Sequence, residues 1–502
     1  MNFFSLDKTF RLTIWISLLA FLLSWLVWYQ PGASTIVFWL IVATVVIFSW
    51  WKLELGLMLV LAELCIGSKG YLFSWTLADL TISIRLAIFL TVVLIWALKY
   101  FRPGKVEFRS SSFFWWYIGF LAVYVVGLGL GWLNSHPGKD IFLDANGYLY
   151  FGLIFPIYHV IRDRAGIKRL VSVMLGATTA LGIKTLALLF AFAGQYSVLP
   201  ELYRWARDTR LDEITLITHN VYRVFSQAHI YAFFVSIITL VIGTLLFRQL
   251  QKREERLLWG MFLISTLTVL ISYSRTFWLS LGLTLLVILA TFVIRYQFTA
   301  AKMSRLIGVL LLVAVLEAAF VVLLVNLPNW LRSGGGGAVS LSSLVEERLG
   351  DTEQAGLQSR MKLLEPLASG IIHHPILGVG FGGTVSYQTD DPRIVAETGG
   401  LYTTYSFEWG YLDIWYKLGF VGLALYILFL WRVAQKGLAV VRDRERDISI
   451  FALAWLMAFL GLVVIHMTTP YLNHPLGIGF VMLSAVIFER LGERNTREHD
   501  AA

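Results

Sequence analysis

Apolar residues in this chain come in runs of membrane-span length, and that constrains the fold more than any motif does. Runs lie near residues 10 to 28, 33 to 50, 53 to 68, 82 to 98, 113 to 132, 146 to 162 and 168 to 193. After a polar interval come 228 to 247, 257 to 273, 276 to 294 and 306 to 326, then 411 to 431, 448 to 466 and 475 to 490. Each is close to the ~20 residues that a helix needs to cross a hydrocarbon core. With 58% hydrophobic and 15% charged residues, the 502-residue chain carries more apolar surface than a soluble core can hide. The expected fold is an all-α polytopic membrane protein with about fourteen transmembrane helices. The segment 11–29 is longer than a signal-peptide core and is followed at once by further apolar runs, so it reads as a retained first helix.

Charge orients the spans. The net charge of +9 would suggest a nucleic-acid partner in a soluble domain, but here most Lys and Arg fall in short loops of one parity. Lys8 and Arg11, Lys99 to Arg109, Arg162 to Arg169, Arg248 to Arg256, Arg295 to Arg305 and Arg432 to Arg446 follow that pattern. The positive-inside rule makes this side cytoplasmic, with both termini there and no nucleic-acid role. The expected organisation is N-terminal spans 1–194, a first outer loop 195–227, central spans 228–326, a large outer loop 327–410, C-terminal spans 411–490 and a tail 491–502. Gly334 to Gly337 read as a flexible lead into the large loop. A single cysteine, Cys65, excludes an intramolecular disulfide. No HExxH, CxxC or metal-spaced carboxylate cluster occurs, so no metal or other cofactor is expected.

The informative residues are those that break the charge rule. Arg204, Arg207, Arg210 and Arg223 lie in the first outer loop; Arg332, Arg348, Arg360 and Arg393 lie in the large one. They either pair with nearby Asp208, Asp212, Glu213, Glu346, Glu347 and Asp351, or hold a phosphate, to which the guanidinium fork is well matched. Arg275, in the short turn YSRTFW between two spans, must snorkel, pair or bind an anion. Glu408 precedes an apolar helix, where it is either a general base or an acid favoured by the helix dipole.

The large loop carries the longest polar passage. RMKLLEPLASGII reads as an amphipathic helix with Met361, Leu364, Leu367, Ile371 and Ile372 on one side, stopped at His-His-Pro by Pro375. Gly378, Gly380, Gly382 and Gly383 then allow a tight bend or close approach to a ligand. His373 and His374 can bind a sugar hydroxyl or assist a base, or simply complement the helix C-terminus. Tyr402, Tyr405, Phe407 and Trp409 can stack on sugar rings or pack the loop. His466 and His474 flank the last outer turn and can line the same cavity. Lys184, Glu63 and Glu317 fall inside spans, where ionisable groups are functional or paired, and Asp413 and Lys417 are spaced to satisfy each other. Trp50, Trp51, Trp115, Trp116 and Trp132 read as an interface belt.

A Ser-Arg turn between spans, a later arginine on a helix ending in HHPILGVGFG, and a YLxxxxKLGxxGL passage into a helix together resemble the O-antigen ligase and Wzy polymerase superfamily. The likeness runs from about Tyr222 to Leu423 and includes YRVFSQAHIYAFF, with Arg223 on that family's arginine. It implies a bundle similar to the GT-C glycosyltransferases, and metal-independent, inverting transfer of a glycan from undecaprenyl diphosphate on the outer face of a bacterial inner membrane. It implies a glycan or lipid A-core acceptor, contact with membrane lipids, and polysaccharide-assembly proteins as partners. By the same resemblance Arg275 and Arg360 contact the diphosphate. Glu408 and Trp409 stand where ligases of the family carry His-Asn, a departure that leans towards a polymerase. A lipid-linked oligosaccharide flippase and a non-catalytic scaffold are the alternative readings; the absence of two related halves argues against the flippase.

Overall fold

The computed structural model describes residues 7–77, 80–101, 107–218, 221–246, 249–333, 355–389, 392–443 and 445–500. The expectations for Gly334 to Gly337, Glu346, Glu347, Arg348 and Asp351, and for the side chains of Arg332 and Arg393, lie outside the described residues. The fold is that of an all-α polytopic membrane protein. Among the described residues, eleven helices are long and apolar enough to cross a membrane, and they coincide with eleven of the anticipated spans. The other three are helices too, but different ones: Leu53–Ile66 has 14 residues and Ile84–Tyr100 has 17, short for crossing alone. Lys252–Ile271 opens on KREER, which places charge in its first turn.

Among the described residues, strands enter only as three separate two-stranded antiparallel hairpins. Ser74–Leu77 pairs with Leu80–Ser83, Glu213–Thr218 with Val221–Phe225, and Val385–Gln388 with Leu401–Thr404. All lie between helices, and none was expected. The β-branched alternation in EITLIT and VYRVF is the signal that marks the second.

The described chain divides into two compact units, each assembled from three stretches. The first comprises Met1–Arg102, Phe155–Arg348 and Val440–Gly461. Its long helix Arg164–Ala193 is buried along most of its length, and small residues let neighbours approach: a Cβ on Gly176 would lie 2.7 Å from the Phe10 carbonyl oxygen. Two cations buried among its helices are paired with acids, and one acid is met by a hydroxyl. Lys184 Nζ donates to both oxygens of Asp212 at 2.6 Å, and Arg85 Nε donates to Glu63 Oε2 at 2.7 Å while its Nη1 reaches the Ser68 carbonyl at 2.6 Å. Glu317 accepts from Thr266 Oγ1. A charge inside an apolar bundle persists only when so matched.

The second unit comprises Pro103–Ile154, Leu349–Ala439 and Leu462–Ala502. It holds the loop helix Ala355–His373 and the long helix Gly410–Val441. The latter is broken at Gly419, whose backbone (φ 66°, ψ −176°) is not helical. A break strands carbonyls before it and amides after it. The HPILGVGFG segment lies across the gap and partners both. Val379 N and Gly380 N donate to the carbonyls of Tyr416 and Lys417 at 2.9 and 3.0 Å, and the amides of Phe420 and Val421 donate to the carbonyls of Pro375 and Ile376 at 2.8 and 3.2 Å. The glycines therefore serve close backbone packing, whereas the sequence left open a role beside a ligand. A Cβ on Gly419 would stand 2.1 Å from the Ile376 oxygen, and one on Gly380 2.2 Å from Gly131 N.

Candidate functional site

In the second unit the loop helix and the broken helix share a small apolar core. Leu363, Leu367 and Ile371, one per turn, meet Val379, Val385, Phe407 and Tyr416. This corrects the stripe expected from sequence: Met361 is 56% and Ile372 74% exposed, because the packed face follows 363, 367 and 371 and those two residues lie off it. Tyr387, Trp409, Leu412 and Trp415 close over the core. The hairpin pairs Tyr387 with Tyr402, ring centroids 5.8 Å apart and edge to face.

That packing brings Arg360 and Glu408 together across 48 residues of chain. Arg360, in the second turn of its helix, donates from Nε to Glu408 Oε2. Glu408 stands two residues ahead of the Gly410–Val441 helix, and Trp409 Nε1 donates to the Arg360 carbonyl at 3.0 Å, fixing the arginine's backbone. Both side chains remain open to an incoming ligand, at 34% and 52% exposure. Partial burial draws the Arg360 guanidinium down from its ordinary pKa, without removing its charge at neutral pH. Tyr405 is half-buried nearby in sequence, and His373 and His374 are exposed at the far end of the loop helix, where His373 Nδ1 lies 2.7 Å from the Ser369 carbonyl oxygen. His466 is fully buried against Gly410 and Tyr411, its Nδ1 accepting from Leu472 N at 3.1 Å, while His474 Nδ1 accepts from Leu476 N at the start of the last helix. These last two have structural work within the unit.

Beneath this loop lies a charge network that the sequence showed only in part. Lys417 pairs with Asp413 one turn away at 2.6 Å, as expected, and also with Asp144. Asp144 accepts from Gly382 N at 2.9 Å, and Asn473 Nδ2 donates to Asp413. Four segments are thus tied at the break, with Lys417 and Asp413 nearly inaccessible. Asp144 carries no motif, so only the fold could find it.

Arg275 and Arg223 belong to the first unit. Ser272 to Ser274 form the short turn anticipated there, and Arg275 begins the helix Arg275–Tyr296 half-buried. Tyr273 holds φ +46° in that turn, a conformation that bulky residues adopt only where surroundings impose it. Arg223 Nε donates to the Ser272 carbonyl at 3.0 Å and its guanidinium lies 4.6 Å from the Phe225 ring centre. Two arginines are therefore gathered on one turn. The loop acids expected to pair with such arginines have other partners. Asp212 holds Lys184, Asp208 accepts from Trp28 Nε1 at 3.0 Å, and Glu213 lies 3.6 Å from Lys69. Arg207 and Arg210 instead sit over Tyr203 and Tyr71.

Membrane-spanning helices, buried ion pairs and a polar loop that presents a guanidinium beside a carboxylate define a polytopic membrane protein. Residues 259–427, about a third of the chain, match the family described as O-antigen ligase, which supports a likeness to the O-antigen ligase and Wzy polymerase superfamily. The matched segment contains Arg275, Arg360, the glycine motif, Glu408 and the break at Gly419; the Arg223 passage precedes it. Members of this superfamily are membrane enzymes that join lipid-linked glycans to polysaccharide acceptors. No curated protein matches the chain.

Proposed function

We propose that this protein is a metal-independent, inverting glycosyltransferase of a bacterial inner membrane, working at the extracytoplasmic face. It takes a glycan from undecaprenyl diphosphate and places it on an acceptor hydroxyl in surface or exopolysaccharide synthesis. Both termini lie in the cytoplasm, as the distribution of Lys and Arg supports. Polymerisation is favoured over ligation, because Glu408 stands where ligases of the family have histidine.

The observation that carries this reading is the Arg360–Glu408 pair inside the matched segment. A carboxylate engaged by a guanidinium has its lone pairs occupied and is a poor proton acceptor. A diphosphate competes for the same fork, since Arg binds phosphate oxygens bidentately. Donor binding therefore draws Arg360 onto the diphosphate and releases Glu408. The freed carboxylate takes the acceptor hydroxyl proton as that oxygen attacks the anomeric carbon from the face opposite the leaving diphosphate. Arg360 and Arg275 offset the charge that develops on the leaving group. Arg223, His373, His374, Tyr405 and Trp409 contact the sugar or the diphosphate. A glycan or lipid A-core supplies the acceptor, and polysaccharide-assembly proteins supply the setting.

Purified protein incubated with lipid-linked repeat units should release undecaprenyl diphosphate and lengthen the glycan. Arg275→Ala and Arg360→Ala should abolish both while the protein stays in the membrane. Unchanged polymer lengths in both variants would remove these arginines from the mechanism; no release by the wild type would leave a transporter or scaffold.

A further inference from the structure

We infer that the turn at residues 372–377, together with Phe420, is a lipid-contacting tip: the large loop dips back so that Ile372, Ile376 and Leu377 touch bilayer acyl chains. This stands independently of the catalytic reading.

The first ground is exposure. Ile376 is 63%, Leu377 50% and Phe420 58% accessible, beside the exposed Ile372. Elsewhere the open face of the loop helix mixes Lys362, Glu365 and Ser369 with Met361 and Ala368, so the large apolar residues gather at its last turn. A contiguous apolar patch of this kind facing water is unusual in a folded protein.

The second ground is continuity. Phe420 N and Val421 N are bonded to the carbonyls of Pro375 and Ile376, which fixes the turn beside the top of the unbroken part of the Gly410–Val441 helix. That helix is apolar and long enough to span. Below Phe420 its open side continues through Ile427, Leu428 and Trp431, spaced seven, eight and eleven residues on, which is one stripe of an α-helix. The tip is the upward extension of a lipid-facing stripe.

The third ground is backbone chemistry. Matching polar groups within the protein eases the entry of non-helical backbone into hydrocarbon, and part of this turn's backbone is so matched. Pro375 has no amide hydrogen, its carbonyl and that of Ile376 are occupied by the broken helix, and Gly378 N is bonded to the His374 carbonyl at 3.1 Å.

The chain's one cysteine, Cys65, is fully buried, so nitroxide labels can be placed singly at Ile376→Cys and Leu377→Cys, with Leu428→Cys and Glu365→Cys as lipid and water references. In full-length protein in phospholipid nanodiscs, collision with oxygen and with a water-soluble nickel chelate is read by electron paramagnetic resonance. Both tip labels should favour oxygen several-fold, as at Leu428. Preference for the nickel chelate, as at Glu365, overturns the inference. So does shielding from both, which reports a second copy or another protein over the tip. Labelling two positions separately guards against one variant misfolding.

Discussion

A methyl group added at Gly419 tests the splice between the glycine motif and the broken helix. With φ 66° and ψ −176°, this residue occupies a region essentially reserved for glycine, and forcing another residue there costs about 1–3 kcal/mol. The new Cβ would also lie 2.1 Å from the Ile376 oxygen and 2.4 Å from Leu377 N. Those are backbone atoms, and the Ile376 oxygen is held by Val421 N, so relief requires moving the turn, at a further ~1–3 kcal/mol. Gly419→Ala should therefore lose roughly 2–6 kcal/mol, at least about 30-fold in the folded-to-unfolded ratio. Gly129→Ala is the control: it sits in the helix Phe114–Leu133 with nothing within 4 Å of an added Cβ, so it should be neutral or gain up to about 1 kcal/mol. Thermal unfolding in one detergent, read by helical ellipticity, compares the two. Equal midpoints for Gly419→Ala and Gly129→Ala would refute the argument, since the splice would then yield without cost.

Two further outcomes bear on the site. Lys417→Met leaves Asp144 and Asp413 buried with no cation, and should destabilise by about 3–5 kcal/mol, whereas Asp413→Asn keeps the Lys417–Asp144 pair and should cost nearer 1 kcal/mol in the same unfolding measurement. Glu408→Gln keeps the size and a hydrogen-bond acceptor for Arg360 but removes the proton-accepting carboxylate, so turnover of lipid-linked repeat units should fall by about 10²–10⁴ while donor binding persists.

The membrane fold was legible because span length is written in contiguous residues: 275–296 or 446–465 can be recognised without reference to any other part of the chain. The loop was harder, since its features depend on neighbours far along the sequence. The helix through Arg360 was visible, yet its packed face was misjudged, because the apolar Met361 and Ile372 look the same in sequence whether they meet protein or open surface. Arg360 and Glu408 were each singled out, but their direct pairing depends on how two helices dock. The glycines drew notice as places of close approach; that the approaching group is the chain's own broken helix follows only from the kink at Gly419. Asp144, alone in its stretch, gave no sign of its bond to Lys417.

Each unit is visited three times as the polypeptide proceeds, and the glycine turn is made some forty residues before the helix that completes its hydrogen bonds. During synthesis the earlier segment must wait, with amides and carbonyls unmatched, until residues near Phe420 have emerged. The first unit likewise lacks a piece until Val440–Gly461 is made. Biogenesis of this protein is therefore settled late. Co-expressed halves split between residues 320 and 440 should assemble only if both fragments reach the same bilayer together.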